Sequence, residues 1–399
     1  MSSTNMLYQI FEGLWELWWS LYLIEELNTP VIIVGMLATI QSTSSVLFQL
    51  PGGMLADRIG RKKVIVYGTA LRVIAPLFMF TATSWHGVVP GIILYSVAGL
   101  YNPAFNAIIA ESLPQGRRGT AFGAYRFITS IPAIFMPVVS GYYLDLMGIG
   151  SGVRVGLMMF TVAAGIAALV RQLVLKETLG VDKGDDARVN QTWKGFVESF
   201  MRQPKTIWAM LAVAVVSGFA TTMTWSFLAP YAYNVVGLST TQYGLLQSVA
   251  MAISVPLYLV SGMIADRYGR VPCILISRAL GPFDSLSLFL FRDYSHLLGA
   301  YSVIGVAQGL GGGRIRSGGN TGDPAWQALI ADLVPSRDRG KVMGFMGTVT
   351  GLLSLPGSMI GGYIYSANPG MLLLAGSILE AIQVPIILLF VKDVKEKQL

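Results

Sequence analysis

The chain has 399 residues, 53% of them hydrophobic and only 12% charged, with a net charge of +7. A soluble globular domain carries about 25% charged residues, so a water-soluble enzyme, a secreted domain and a disordered scaffold are excluded and a polytopic membrane protein remains. One cysteine, Cys273, and two histidines, His86 and His296, leave too few ligands for a disulfide framework or a histidine- or thiolate-based metal centre.

At about 20 residues per span, charge-poor stretches predict twelve helices. They lie near 7–26, 31–56, 64–84, 87–112, 120–144, 153–174, 206–228, 240–265, 271–291, 297–333, 341–365 and 370–391. The first carries Glu12 and Glu16, and residues 1–5 lack the basic stretch of a signal peptide, so it reads as a retained span. Residues 206–265 contain no Asp, Glu, Lys or Arg, and Pro230, Asn234 and Gly237 mark a turn that divides them into two spans. The tenth stretch is too long for one plain helix. The expected organisation is an all-α polytopic membrane protein with an N-terminal half over 1–175, a linker over 176–205 and a C-terminal half over 206–399. Residues 193–201 of the linker read as a short surface helix.

Basic residues fall on alternate loops. Those at 57–63, 114–118, 176–205, 266–270 and 335–341, together with the C-terminal tail, hold twenty Lys and Arg; the opposite loops hold Arg154 and Arg292. By the positive-inside rule, the twenty-residue side and both termini are cytoplasmic. A multi-pass protein of the cytoplasmic membrane is expected, with the bilayer and not nucleic acid as its partner.

The two halves repeat. Gly53-Met-Leu-Ala-Asp57-Arg58-Ile-Gly60-Arg61 returns 209 positions later as Gly262-Met-Ile-Ala-Asp266-Arg267-Tyr-Gly269-Arg270. The segment from Asn102 to Pro114 matches that from Asp323 to Pro335, and each is followed by Arg-Gly, at Arg118 and Arg339. Arg72 and Pro76 match Arg278 and Pro282. Gly53 and Gly262 permit close helix approach, Gly60 and Gly269 a tight turn, and Asp57 and Asp266 can pair with arginine or cap a helix.

This duplicated loop motif resembles the major facilitator superfamily of secondary transporters, over essentially the whole chain. The resemblance implies two pseudo-symmetric six-helix halves around a cavity lined by spans one, four, seven and ten, with alternating access. It also implies that Asp57 and Asp266 latch a cytoplasmic gate, with Arg117 or Arg118 and Arg337 or Arg339 as partners. The alternative is that the motif serves only folding and insertion.

Charges within spans are costly and therefore functional candidates. Glu12 and Glu16 stand four apart, on one face of a single helix. Two carboxylates so close in a low dielectric cannot both ionise freely, so one can carry the proton of coupled transport, Glu16 ahead as the deeper residue. The other possibility is an ion pair with an arginine that holds helices together. Arg72 and Arg278 suggest a shared packing or gating role; Asp284 and Glu380 are candidates to neutralise them, and Arg126 reaches the cavity or the cytoplasmic rim. Cavity candidates are Tyr95, Asn102, Asn106, Thr221, Thr222, Thr224, Trp225, Asp323, Trp326 and Gln327, with Gln41 and Gln247 on flanking helices. Such rings and amides suit a moderately apolar organic substrate, or serve as interhelical hydrogen bonds.

Two departures qualify the resemblance to drug exporters. Tyr95 stands where those proteins carry an arginine four residues before a glycine, here Gly99. Their G-P-x-x-G-G pattern survives only as Met136-Pro137-Val-Val-Ser140-Gly141. Residues 311–322, rich in glycine and containing Arg314 and Arg316, interrupt the tenth span: either a broken helix that binds an anion or, preferred, a loop or insertion without a substrate role. The leading expectation is proton-coupled efflux of apolar compounds by a monomer without a cofactor. The alternatives are proton symport of an organic anion and a transporter-like sensor. No nucleophile, base and orienter set points to an enzyme.

Overall fold

A computed structural model gives the structure of the chain and describes residues 2–102, 104–105, 108, 127–175, 193–311, 324–335 and 338–392. Among the described residues, helix falls within each of the twelve expected spans. In chain order the elements are α1 (Ser2–Glu12), a 3-10 turn (Glu16–Trp18), α2 (Trp19–Glu25), α3 (Val31–Ile59), α4 (Arg61–Thr81), α5 (Trp85–Ala98) and a 3-10 turn (Gly99–Tyr101). Then come α6 (Pro132–Met147), α7 (Ile149–Val174), α8 (Trp193–Met201), α9 (Lys205–Tyr231), α10 (Thr240–Tyr268), α11 (Arg270–Leu280), α12 (Phe283–Leu290) and α13 (Tyr294–Gly311). The last four are α14 (Pro324–Leu333), α15 (Arg339–Ser354), α16 (Gly357–Ala367) and α17 (Pro369–Phe390). Among the described residues, seven helical stretches are long and apolar enough to cross a bilayer. Their outward leucines and valines, such as Leu169, Leu173, Leu388 and Leu389, are more than half exposed, as lipid contact requires.

Local chemistry explains where helices stop. Asn368 accepts from the amides of Gly370 and Met371 at 2.9 and 3.2 Å, so the Asn-Pro-Gly sequence starts α17 with a capped N-terminus and a proline in its first turn. Gly60 and Gly269, at equivalent places in the repeated motif, have φ of 102° and 93°. An L side chain is strained there, which is why the turn requires glycine. Pro282 and Pro356, which lack an amide proton, each fall where a span is interrupted.

One expectation is corrected at the first span. It is not one continuous helix: Leu14, Trp15 and Trp18 donate to the carbonyls of Phe11, Glu12 and Trp15, three residues back instead of four. This tightening isolates α1 from α2. Gly13 lies at the break, where a β-carbon would stand 2.9 Å from Cβ of Met136 on α6. Glu12 ends α1 and Glu16 begins the 3-10 turn, so the two do not share a face of one regular helix.

The chain forms two compact units, residues 1–183 with 226–248, and residues 184–225 with 249–399. In the first, α4 packs against α5 and α7, α1 against α7, and α3 against α5. Its core is aromatic, with Trp15, Trp18, Tyr22 and Phe160 at most 2% exposed. In the second, α11 packs against α13, α14 and α17, and α8 against α15. Its core joins Phe200, Met210, Cys273, Ile274, Trp326, Leu329, Val342 and Ile387.

Candidate functional site

A charge cluster lies inside the first unit. The Tyr95 hydroxyl donates to Oε1 of Glu12, and Nη1 of Arg72 stands 3.7 Å from that same oxygen. The Arg72 guanidinium lies over the rings of Tyr8, Tyr95 and Tyr101 at 5.5, 4.9 and 5.3 Å. Beside it Arg171 of α7, 2% exposed, lies over Tyr8, Tyr101 and Phe105 at 4.9, 5.3 and 4.9 Å. Its Nη1 donates to Thr69 Oγ1 at 2.8 Å. Cation–ring contacts offset part of the cost of desolvating these guanidiniums. Among the described residues Glu12 is the carboxylate paired with this couple, and Nε of Arg72 and Nε and Nη2 of Arg171 have no partner.

These facts recast the first departure read from the sequence. Position 95 has no guanidinium, yet Arg72 brings one to within 4.9 Å of the Tyr95 ring. Sequence reasoning places Arg171 within a span but gives it no role, and it passes over Tyr8 and Tyr101. The available signal was that Arg171 has no carboxylate on its own helix. Glu16 is exposed and Glu12 half-buried, which reverses the order of burial expected from their positions.

A second arrangement in the first unit involves α6 and the start of α10. Asp145 Oδ1 accepts from Thr240 N at 3.1 Å and Thr240 Oγ1 at 2.6 Å; Oδ2 accepts from Thr241 N at 3.0 Å and Thr241 Oγ1 at 2.5 Å. A carboxylate thus satisfies the first amides of α10. The altered G-P-x-x-G-G pattern finds its reason here. A β-carbon on Gly141 would overlap the Thr240 carbonyl, so that glycine is retained. Ser140 instead accepts from Trp18 Nε1 at 2.9 Å, a bond glycine could not supply.

In the second unit Arg278 is 4% exposed, donates to Ser217 Oγ at 3.2 Å and lies 5.7 Å over Trp326. It lines a small cavity with Asp284 and Glu380, so those carboxylates gather at Arg278, while Arg72 is met by Glu12. Trp326 is 1% exposed in the apolar core, beneath Arg278. Thr222 donates to Ser354 O at 2.9 Å and its carbonyl accepts from Ser358 at 2.9 Å, tying α9 to α15 and α16. Trp225 and Asn102 are exposed, and Gln327 is half-buried.

Around the repeated motif, Gly53 lies in α3, Arg58 and Arg267 are exposed and Arg61 is half-buried. Arg58, Lys62 and Lys63 line a basic groove of about 560 Å³. Arg270 pairs with Asp332 and donates to Ala328 O at 2.7 Å. Arg339 donates to the carbonyls of Ala331 and Val334, where α14 ends. The side chains of Asp57 and Asp266, and residues Asn106, Arg117, Arg118, Arg126, Arg314, Arg316, Asp323 and Arg337, lie outside the described residues.

A sequence model of the Major Facilitator Superfamily matches residues 2–317. An uncharacterized MFS-type transporter of Methanocaldococcus jannaschii is 22% identical over 376 residues, spanning 92% of this chain and 88% of its own. The class H tetracycline resistance protein of Pasteurella multocida is 22% identical over 368 residues, spanning 89% and 86%. Among solved structures, a nucleoside transporter variant superposes with a TM-score of 0.73 at 14% identity, covering 98% of this chain and 99% of its own. A D-xylose–proton symporter gives 0.73 at 16%, covering 100% and 99%. At such identities the superpositions speak for the fold.

Proposed function

The chain belongs to the major facilitator superfamily, and with that as premise we propose that this multi-pass transporter exports an apolar, drug-like organic molecule in exchange for protons, with Glu12 as the group that carries the proton. The observation that carries the reading is the shared grip on Glu12, whose carboxylate meets the Tyr95 hydroxyl and the Arg72 guanidinium at the end of α1. Ionised, Glu12 is held to α4 and α5. Protonated, it loses its attraction to Arg72, and α1 is released beside the break at residues 13–15. A proton taken up there thereby becomes a change in helix packing, which is what coupling requires. Glu16, on the exposed start of the next turn, is proposed as a relay toward Glu12. Efflux of an organic substrate is supported by the tetracycline resistance relatives. The alternating basic loops support cytoplasmic termini in the cell membrane.

Flux of tetracycline in proteoliposomes, with and without an imposed pH gradient, tests the reading. Wild type should show gradient-stimulated flux and Glu12→Gln should transport at the gradient-free rate; a Glu12→Gln protein that still couples fully defeats it.

One observation favours a second reading, symport of an organic anion. Arg72 and Arg171 share the rings of Tyr8 and Tyr101, a half-buried and a buried cation against one carboxylate among the described residues, and an anionic substrate would balance them. Uptake of an organic acid driven by an inward proton gradient, with no tetracycline flux, would decide for it.

A further inference from the structure

The ninth span, in the second unit, is interrupted. α11 ends at Leu280 and α12 begins at Phe283, with Gly281 and Pro282 between them. Pro282 has no amide proton to return to the Arg278 carbonyl four residues back. Gly281 N reaches that carbonyl instead, at 3.3 Å, and Ser377 of α17 donates to the Pro282 carbonyl at 3.3 Å. The backbone of the break is therefore served by protein groups.

The side chains beside it are served less completely. A cavity of about 40 Å³ lies at the break, with Arg278, Ser285, Ile304 and Gln308 among its walls. Arg278 is 4% exposed, and its Nη1 is engaged by Ser217 Oγ at 3.2 Å. Its Nε and Nη2, and Oε1 of Gln308, are buried and have no hydrogen-bond partner among the described residues. A buried polar group left in that state is costly.

The chemistry of these groups selects what fills the space. A guanidinium only donates, and an amide oxygen only accepts. They come from different helices, α11 and α13, and a molecule that both accepts and donates would satisfy the two together. Water does so, and needs roughly 10–15 Å³ and about two to four polar partners. The cavity exceeds that volume, and the Ser285 hydroxyl adds a further partner on its wall. A metal cation suits a guanidinium wall poorly, since both are positive. Irregular backbone at membrane depth is tolerated where it lines water.

We propose that this cavity is a water-binding site, in which ordered water accepts from the Arg278 guanidinium and donates to Oε1 of Gln308, joining α11 to α13 beside the break in the ninth span. The site is separate from Glu12 and independent of the coupling assigned to it.

X-ray radiolytic labelling of the full chain in lipid nanodiscs, read by mass spectrometry, makes hydroxyl radicals from water in place and marks the side chains beside it. Ile304, on the cavity wall, is 3% exposed, and Ile274, in the apolar core, is 0% exposed. The two have the same intrinsic reactivity and both are closed to bulk water, so held water is what separates them. In wild type Ile304 should label about tenfold faster than Ile274. Gln308→Leu, which removes the acceptor at similar size, should bring Ile304 down to the Ile274 rate. Gln308→Met gives the same reading if the leucine variant does not fold. A wild-type Ile304 rate no higher than that of Ile274 overturns the proposal, as does an Ile304 rate unchanged in the variants. So does loss of Ile304 labelling when sodium is added to wild type at constant pH, which would make the cavity a metal-cation site.

Discussion

Asp145 and Thr240 meet 95 positions apart in sequence, as a carboxylate and the first residue of a helix. Both Asp145 oxygens are used, one on each of two successive threonines. Asp145→Ala leaves two amides and two hydroxyls without this acceptor and should cost about 1–2 kcal/mol. Asp145→Asn, which still caps, should recover part of it. Thermal unfolding in detergent measures both; an unchanged midpoint in the alanine variant would show the cap to be energetically idle.

Tyr95→Phe removes the hydroxyl that reaches Glu12 and leaves the ring over which Arg72 sits. A hydrogen bond to a charged group is worth about 1.5–3 kcal/mol. Gradient-driven flux should therefore fall about tenfold or more while binding of a hydrophobic substrate changes little. Equal losses in binding and flux would instead make Tyr95 a substrate contact.

Arg72 and Arg171 should respond oppositely to neutralisation. Arg72→Met strands Glu12 in a partly buried setting and should destabilise by about 2 kcal/mol. Arg171→Met removes a buried cation that has no carboxylate partner among the described residues, so it should be neutral or stabilising. Denaturation of the two variants side by side gives the sign.

Asp293 illustrates a pH effect outside the spans. Its carboxylate accepts from Ser295 Oγ, from Ser295 N at 3.1 Å and from His296 N at 3.3 Å, and these bonds hold it below the usual carboxylate range. A group depressed in the folded state stabilises above its unfolded value of about 3.9 and loses that contribution as pH falls through the folded value. Amide exchange at Ser295 and His296, corrected for intrinsic rates, should thus speed up in acid below about pH 3.9. Asp293→Asn should exchange faster already at neutral pH.

The spans were legible because a membrane helix advertises itself by length and lack of charge, and Gly60 and Gly269 because few turns admit another residue. The break at residues 13–15 was not: its sequence is apolar and aromatic, and only the approach of Met136 makes Gly13 matter. The pairing of Glu12 with Arg72 was invisible for a different reason. In-span charges can be counted from sequence, but which arginine meets which carboxylate depends on helix rotation, and hydropathy carries no record of it. Thr222 and Trp326, polar and aromatic at promising positions, are engaged in helix packing and core filling in the structure, roles that composition alone does not separate from substrate contact.

Because Cys273 is the chain's one sulfhydryl and lies beneath the surface of the second unit, a thiol reagent added to the native protein should find little to modify. A spin label or fluorophore placed at any outward-facing position would then report from a single address, so distances across a working transport cycle can be recorded without first stripping the molecule of its own reactive groups.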